Sequence, residues 1–155
     1  MSRTKTYHLT LMAVLTALSV VLAFIHVPTP TGYLTLLDVS IYFTAYYLGS
    51  KYGAVVGGLS GFLIDLLLGY PQYMFHSLIA HGAQGYFAGW TGKKRILGLI
   101  LASILMVGWY FLATFLLGYG LGGALAGVPG NLLQNLFGML VGYLVYLAYQ
   151  RFENK

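Results

Sequence analysis

Residues 89–95 read GWTGKKR: a glycine, a tryptophan, a break at Thr91-Gly92, then Lys93, Lys94 and Arg95 in succession. Long apolar runs lie on both sides. A basic cluster between two apolar runs marks the cytoplasmic turn of a membrane hairpin, because cytoplasmic loops carry the excess of Lys and Arg. Working outward, the same sign recurs. Lys51 stands alone, Arg3 and Lys5 open the chain, and Arg151 and Lys155 close it, which accounts for all eight lysines and arginines. The segments halfway between these stations hold no basic residue. The pattern predicts an all-α integral membrane protein: a six-transmembrane-helix bundle with both termini cytoplasmic.

Composition agrees. Of 155 residues 59% are hydrophobic and 7% charged, against about 25% charged in a soluble domain, so lipid is the expected solvent. The net charge of +5 is spread over membrane-flanking turns. No basic face interleaved with aromatics is present to track a phosphate backbone, and nucleic acid is not expected as a partner. With no cysteine, disulfides, thiolate catalysis and cysteine metal sites are excluded. The apolar stretch from Leu9 to Ile25 lacks a convincing small-x-small cleavage site and is followed by further spans, so it reads as a retained helix, not a secretory signal. Residues 1–155 are expected to form a single transmembrane domain.

The first span runs from about His8 to His26. Val27 to Leu37, VPTPTGYLTLL, is an outside loop with helix-breaking prolines and glycine. Asp38 reads as the N-cap of a short second span ending near Leu48. The third span covers Tyr52 to Gly69, Tyr70-Pro71-Gln72 turns outside, and the fourth covers Tyr73 to Trp90. The fifth covers Ile96 to Leu117, glycine-rich Gly118 to Gly130 forms a third outside loop, and the sixth covers Asn131 to Tyr149. A spanning helix needs roughly 17–25 residues, so the second span is marginal. Small residues recur every four positions at Ala13/Ala17, Gly53/Gly57/Gly61, Gly85/Gly89 and Gly138/Gly142. That spacing lets helix backbones approach closely, and most of these grooves should pack the bundle.

Polar groups inside lipid are costly and point to function. Asp65, His76, His81, Gln84, Asn131, Gln134 and Asn135 all fall in the outer half of the bundle or near its middle, which predicts a polar cavity open to the outside. Tyr33 and Tyr73 add aromatic walls of the kind small-molecule pockets use. Asn131, Gln134 and Asn135 share one helical face, and their amides offer donors and acceptors without charge, which suits a neutral heterocycle. Bonding to neighbouring helices, or capping of the sixth span by Asn131, is the simpler alternative. His81 and Gln84 share a face, whereas His76 lies about 140° from His81, so no helical metal pair is expected. Asp65 must pair or protonate, with His76 or His81 as its natural partner, or equally a hydroxyl or ring N–H of a ligand. Gly118 to Gly123 matches a dinucleotide fingerprint by letter but has no strand before it. Nothing resembles a hydrolytic triad, a zinc helix or a P-loop, so the chain is not expected to be an enzyme.

Four features together resemble the substrate-binding S components of energy-coupling factor (ECF) vitamin transporters. They are Ala13-x-x-x-Ala17, the loop and short helix Thr29 to Leu48, the Lys51-Tyr52-Gly53 turn followed by Gly57-Gly58, and Ala80-His81-Gly82-Ala83-Gln84-Gly85. The resemblance covers essentially the whole chain and lies nearest the hydroxymethylpyrimidine or pyridoxine branch. It implies a multi-pass protein of the prokaryotic plasma membrane that captures a small vitamin or precursor at the outer face. It also implies a transmembrane T subunit docked on Ala13 and Ala17. Two cytoplasmic ATPases would use the ATP, with no cofactor in this chain. A self-contained proton-coupled carrier using Asp65 and His81 is the runner-up reading, and a structural membrane protein without ligand the third.

Overall fold

The computed structural model describes residues 3–29 and 32–153; Pro30 and Lys155, both used above, lie outside them. The described residues form six α-helices and one hairpin. In order these are α1 (Arg3–Ala23), β1 (His26–Thr29), β2 (Gly32–Thr35), α2 (Leu37–Leu48), α3 (Ser50–Leu68), α4 (Met74–Ala88), α5 (Arg95–Thr114) and α6 (Gly120–Glu153). A 3₁₀ turn at Gly92–Lys94 leads into α5, and a π turn at Phe115–Tyr119 leaves it.

Three stretches are long and apolar enough to cross a membrane: Lys5–Ala23, Ser50–Leu68 and the two-helix run Gly92–Glu153. α2 has 12 residues and α4 has 15. At 1.5 Å per residue these reach about 18 and 22 Å, short of a hydrocarbon core of about 30 Å. α2 is completed on one side by the hairpin, in which His26 pairs with Thr35 and Val27 with Leu34. The sequence reading made this segment a loop. Pro28 is compatible with a two-stranded ribbon because neither strand lies inside a larger sheet.

The long glycine-rich loop expected from Gly118 to Gly130 is absent. Only Gly118 and Gly120 leave helical geometry, at φ +90° and +69°, a conformation open to glycine. From Gly120 onward the chain is helical, with Pro129 inside α6. Backbone at membrane depth must satisfy its own hydrogen bonds, and a helix does so where a loop does not. Asn131 therefore sits within α6 and caps nothing. Asp38 is no cap either: the residue before α2 is Leu36, without a side-chain cap bond, and it is Thr35 Oγ1 that accepts from the Leu37 amide, at 3.1 Å.

Tight turns force successive helices to run back and forth, so the connections gather at two ends. At one end Arg95 lies over the rings of Tyr46 and Tyr143, at 5.2 and 5.3 Å from their centroids, and His8 of α1 stacks on Tyr52, beside Lys51. At the other end Tyr33 meets Tyr70, and Tyr73 meets Tyr119. The basic turns and the hairpin thus lie at opposite ends of the bundle.

Glycines set the closest contacts. A Cβ on Gly57 would sit 2.3 Å from the His81 carbonyl oxygen, and one on Gly85 2.1 Å from that of Gly53, so α3 and α4 touch backbone to backbone and His81 is held beneath α3. Gly138 of α6 leaves 2.3 Å for a Cβ against that of Asp38, which brings the Asp38 carboxylate up to α6. By contrast Ala13 and Ala17 are exposed on the outer face of α1, while Leu15, Thr16 and Ser19 turn inward.

Gly57→Leu should cost about 1–3 kcal/mol through overpacking, read as a melting temperature several degrees lower in detergent. Gly108→Ala, whose new carbon meets nothing within 4 Å, should leave it unchanged.

Candidate functional site

Under the hairpin lies a cavity of about 90 Å³, several times what one water needs. The hairpin contributes Tyr33, Leu34 and Thr35, α3 contributes Ile64 and Asp65, and the turn before α4 contributes Tyr70 and Tyr73. His81 comes from α4, Tyr110 and Thr114 from α5, and Ala126, Gly127, Gly130, Asn131 and Gln134 from α6. The small residues of α6 leave room beneath the hairpin, where Leu34 approaches Gly130.

Behind this wall is a second polar layer organised by Asp38, which is fully buried. Its carboxylate accepts from Gln84 Nε2 at 2.7 Å and from Gln134 Nε2 at 3.1 Å, and His81 Nδ1 lies 3.6 Å away. A carboxylate only accepts, so the amide of Gln84 must turn its NH₂ toward Asp38. The Gln84 carbonyl then faces His81 Nδ1, 2.8 Å away, and places the imidazole proton on that nitrogen. His81 Nε2 is left to accept from the Tyr110 hydroxyl at 3.0 Å, and Ser77 Oγ lies 2.6 Å from that hydroxyl.

The same logic continues inward. Gln84 Nε2 also donates to Asn135 Oδ1 at 2.8 Å, which accepts from the Tyr42 hydroxyl as well at 2.6 Å. Asn135 Nδ2 therefore donates to Ser103 Oγ at 2.6 Å. On the outer side, Gln134 Oε1 accepts the Thr35 amide at 2.6 Å, which ties the hairpin to α6. One carboxylate thus sets the orientation of two glutamines, an asparagine and a histidine.

Six of the residues singled out from sequence line the cavity: Tyr33, Asp65, Tyr73, His81, Asn131 and Gln134. Gln84 and Asn135 do not; they are fully buried in the layer behind. His76 is also off the wall, with its ring 6.1 Å from that of Trp109. Asp65 does not take a histidine as hydrogen-bond partner. Its Oδ1 accepts a hydrogen bond from the Tyr33 hydroxyl, and His81 bonds to Gln84 and Tyr110 instead. Burial, and next the nearby Asp65, push the Tyr33 phenol up, so Tyr33 stays a donor. Sequence reasoning missed Asp38 as the hub and Tyr110 and Thr114 as wall residues. The signal for Asp38 was a carboxylate at the edge of a lipid-embedded helix; for Tyr110 and Thr114, single polar groups in an apolar span gave little.

The family model for ECF-type riboflavin transporter S components matches residues 3–151. A protein of Lactococcus lactis subsp. cremoris named thiamine precursor transporter HmpT is 43% identical over 137 residues, covering 86% of this chain and 81% of that protein. An uncharacterized protein of Pyrococcus woesei is 32% identical over 124 residues, covering 76% and 82%. Among solved structures, the S component of a bacterial ECF transporter superposes with a TM-score of 0.77 at 24% identity, over 97% of this chain and 99% of that one, and shares the fold. The chain therefore belongs to the S components of ECF-type riboflavin transporters, substrate-binding membrane subunits and not enzymes.

Proposed function

We propose that this S component captures a thiamine precursor of the hydroxymethylpyrimidine type. The observation that carries the reading is the cavity itself, which is small, ringed by tyrosines, and furnished with one carboxylate and the uncharged amides of Asn131 and Gln134. Such a set matches a single polar heteroaromatic ring with amine and hydroxyl groups. It offers no cationic cluster for a polyanionic ligand such as folate. The name of the 43% identical relative points the same way.

In this reading the six helices cross the membrane, with both termini and the turns at Lys51 and Lys93–Arg95 in the cytoplasm and the hairpin outside. The separation of basic turns and cavity to opposite ends of the bundle supports that orientation, since positive residues stay inside. A transmembrane T subunit docks on the exposed Ala13 and Ala17 of α1, and two cytoplasmic ATPases supply the energy. Asn131 lines the cavity and makes no hydrogen bond among the described residues, so its amide is available to the ligand.

A calorimetric and thermal-shift screen of the purified protein against B vitamins and their precursors tests the assignment. Hydroxymethylpyrimidine should bind at micromolar concentration or below and raise the melting temperature. Binding of riboflavin or folate in its place would contradict the proposal. Asn131→Ala should weaken binding by about tenfold, the worth of roughly one hydrogen bond, without lowering the melting temperature. Ala13→Leu or Ala17→Trp should leave ligand binding intact and abolish uptake in cells carrying the full transporter, because bulk there blocks close helix approach. Normal uptake by both variants would remove α1 as the docking face.

A further inference from the structure

Asp65 is 4% exposed and lines the cavity. Its two oxygens are not equivalent. Oδ1 accepts from the Tyr33 hydroxyl, while Oδ2 is buried and has no hydrogen-bond partner among the described residues. Leaving a buried carboxylate oxygen unpaired is costly, more so than for a neutral group. The donors nearby are committed elsewhere. His81 gives its Nδ1 proton to Gln84, Gln134 Nε2 donates one proton to Asp38, and Ser77 Oγ lies 2.6 Å from the Tyr110 hydroxyl. No described residue meets Oδ2 with hydrogen-bond geometry, although the Ser77 hydroxyl stands close to the carboxylate, and Asp65 stands in the wall of the cavity.

We infer that Asp65 Oδ2 accepts a hydrogen bond from an amino group on the substrate ring, which makes Asp65 the residue that selects an aromatic amine over the same ring without one. The inference rests on the function proposed above and specifies which edge of the ligand the protein reads. A site with a buried acceptor discriminates strongly against a ligand that lacks the matching donor, because binding that ligand seals the acceptor off unpaired. Tyr33 sharpens the selection. Its phenol fixes Oδ1, so the carboxylate cannot rotate to hide the free oxygen.

The test compares two probes, 4-amino-5-hydroxymethyl-2-methylpyrimidine and its deamino counterpart 5-hydroxymethyl-2-methylpyrimidine, by calorimetry on the wild type and on Asp65→Asn. The wild-type ratio needs no variant to fold, and it should favour the amine by about 10- to 100-fold, as expected for one hydrogen bond to a charged acceptor. In Asp65→Asn the amide oxygen must serve Tyr33, which turns the NH₂ toward the cavity, so the preference should fall to within about threefold or reverse. Its melting temperature, measured in parallel, should stay close to that of the wild type.

Equal binding of both probes by the wild type would overturn the inference and leave the proposed function standing. So would an undiminished preference in Asp65→Asn. An Asp65 that held the ring through a proton on Oδ2 would bind the deamino probe equally well, which is the same contradicting result. Binding of neither probe by the wild type would overturn the proposed function and this inference together.

Discussion

A carboxylate fully removed from solvent inside a lipid-embedded bundle has to be satisfied by the protein that buries it, and Asp38 is that group. Removing a charge from water costs several kcal/mol after relaxation. The only recovery comes from donors placed with good geometry. Gln84 from α4 and Gln134 from α6 supply it, and each is then fixed in orientation by what Asp38 demands, with the His81 imidazole oriented in turn by Gln84. Three helices that do not follow one another in sequence are joined through one residue. The joint also extends to the hairpin, because Gln134 holds the Thr35 amide with its carbonyl.

Two layers with different duties follow from this. The inner layer of Asp38, Gln84, Asn135, Tyr42 and Ser103 is closed upon itself, every member paired. The outer layer of Tyr33, Asp65, Tyr73, Asn131 and Tyr110 borders open space and keeps unspent capacity at Asp65 Oδ2 and Asn131. A satisfied network rigidifies the floor, and a partly unsatisfied wall is what a ligand completes. His81 and Gln134 belong to both layers, so the floor sets the position of the wall. Close glycine contacts make this possible. Without the missing side chain at Gly138, Asp38 would stand off from α6, and without that at Gly57, α4 would be pushed from α3.

The lipid-facing composition and the basic turns were legible in the sequence because both are averages over many residues, insensitive to detail. So was the gathering of polar groups toward one half of the bundle, from which six of the nine named site residues reach the cavity. What remained hidden depends on pairing across the chain. Asp38 has the local signature of a helix cap, and only the approach of α4 and α6 shows that its bonds go inward instead. The glycines from 118 to 130 read as a loop because glycine disfavours helix in water, whereas at membrane depth the need to pair backbone groups dominates. The hairpin at His26–Thr35 was obscured by prolines, of which a lone ribbon tolerates Pro28. His76 shares the chemistry of His81, although its position about 140° around the helix, legible in the sequence, already sets it off the face that His81 presents.

The most direct test of this account is the melting temperature of detergent-purified Asp38→Asn. If Asp38 is the hub, the isosteric amide sets its NH₂ against one of the two glutamine donors, which sit on different oxygens, and disruption of the buried network should cost roughly 3–5 kcal/mol and lower the melting temperature markedly. An Asp38→Asn protein that melts with the wild type would show that the floor stands without its charge and would contradict the account.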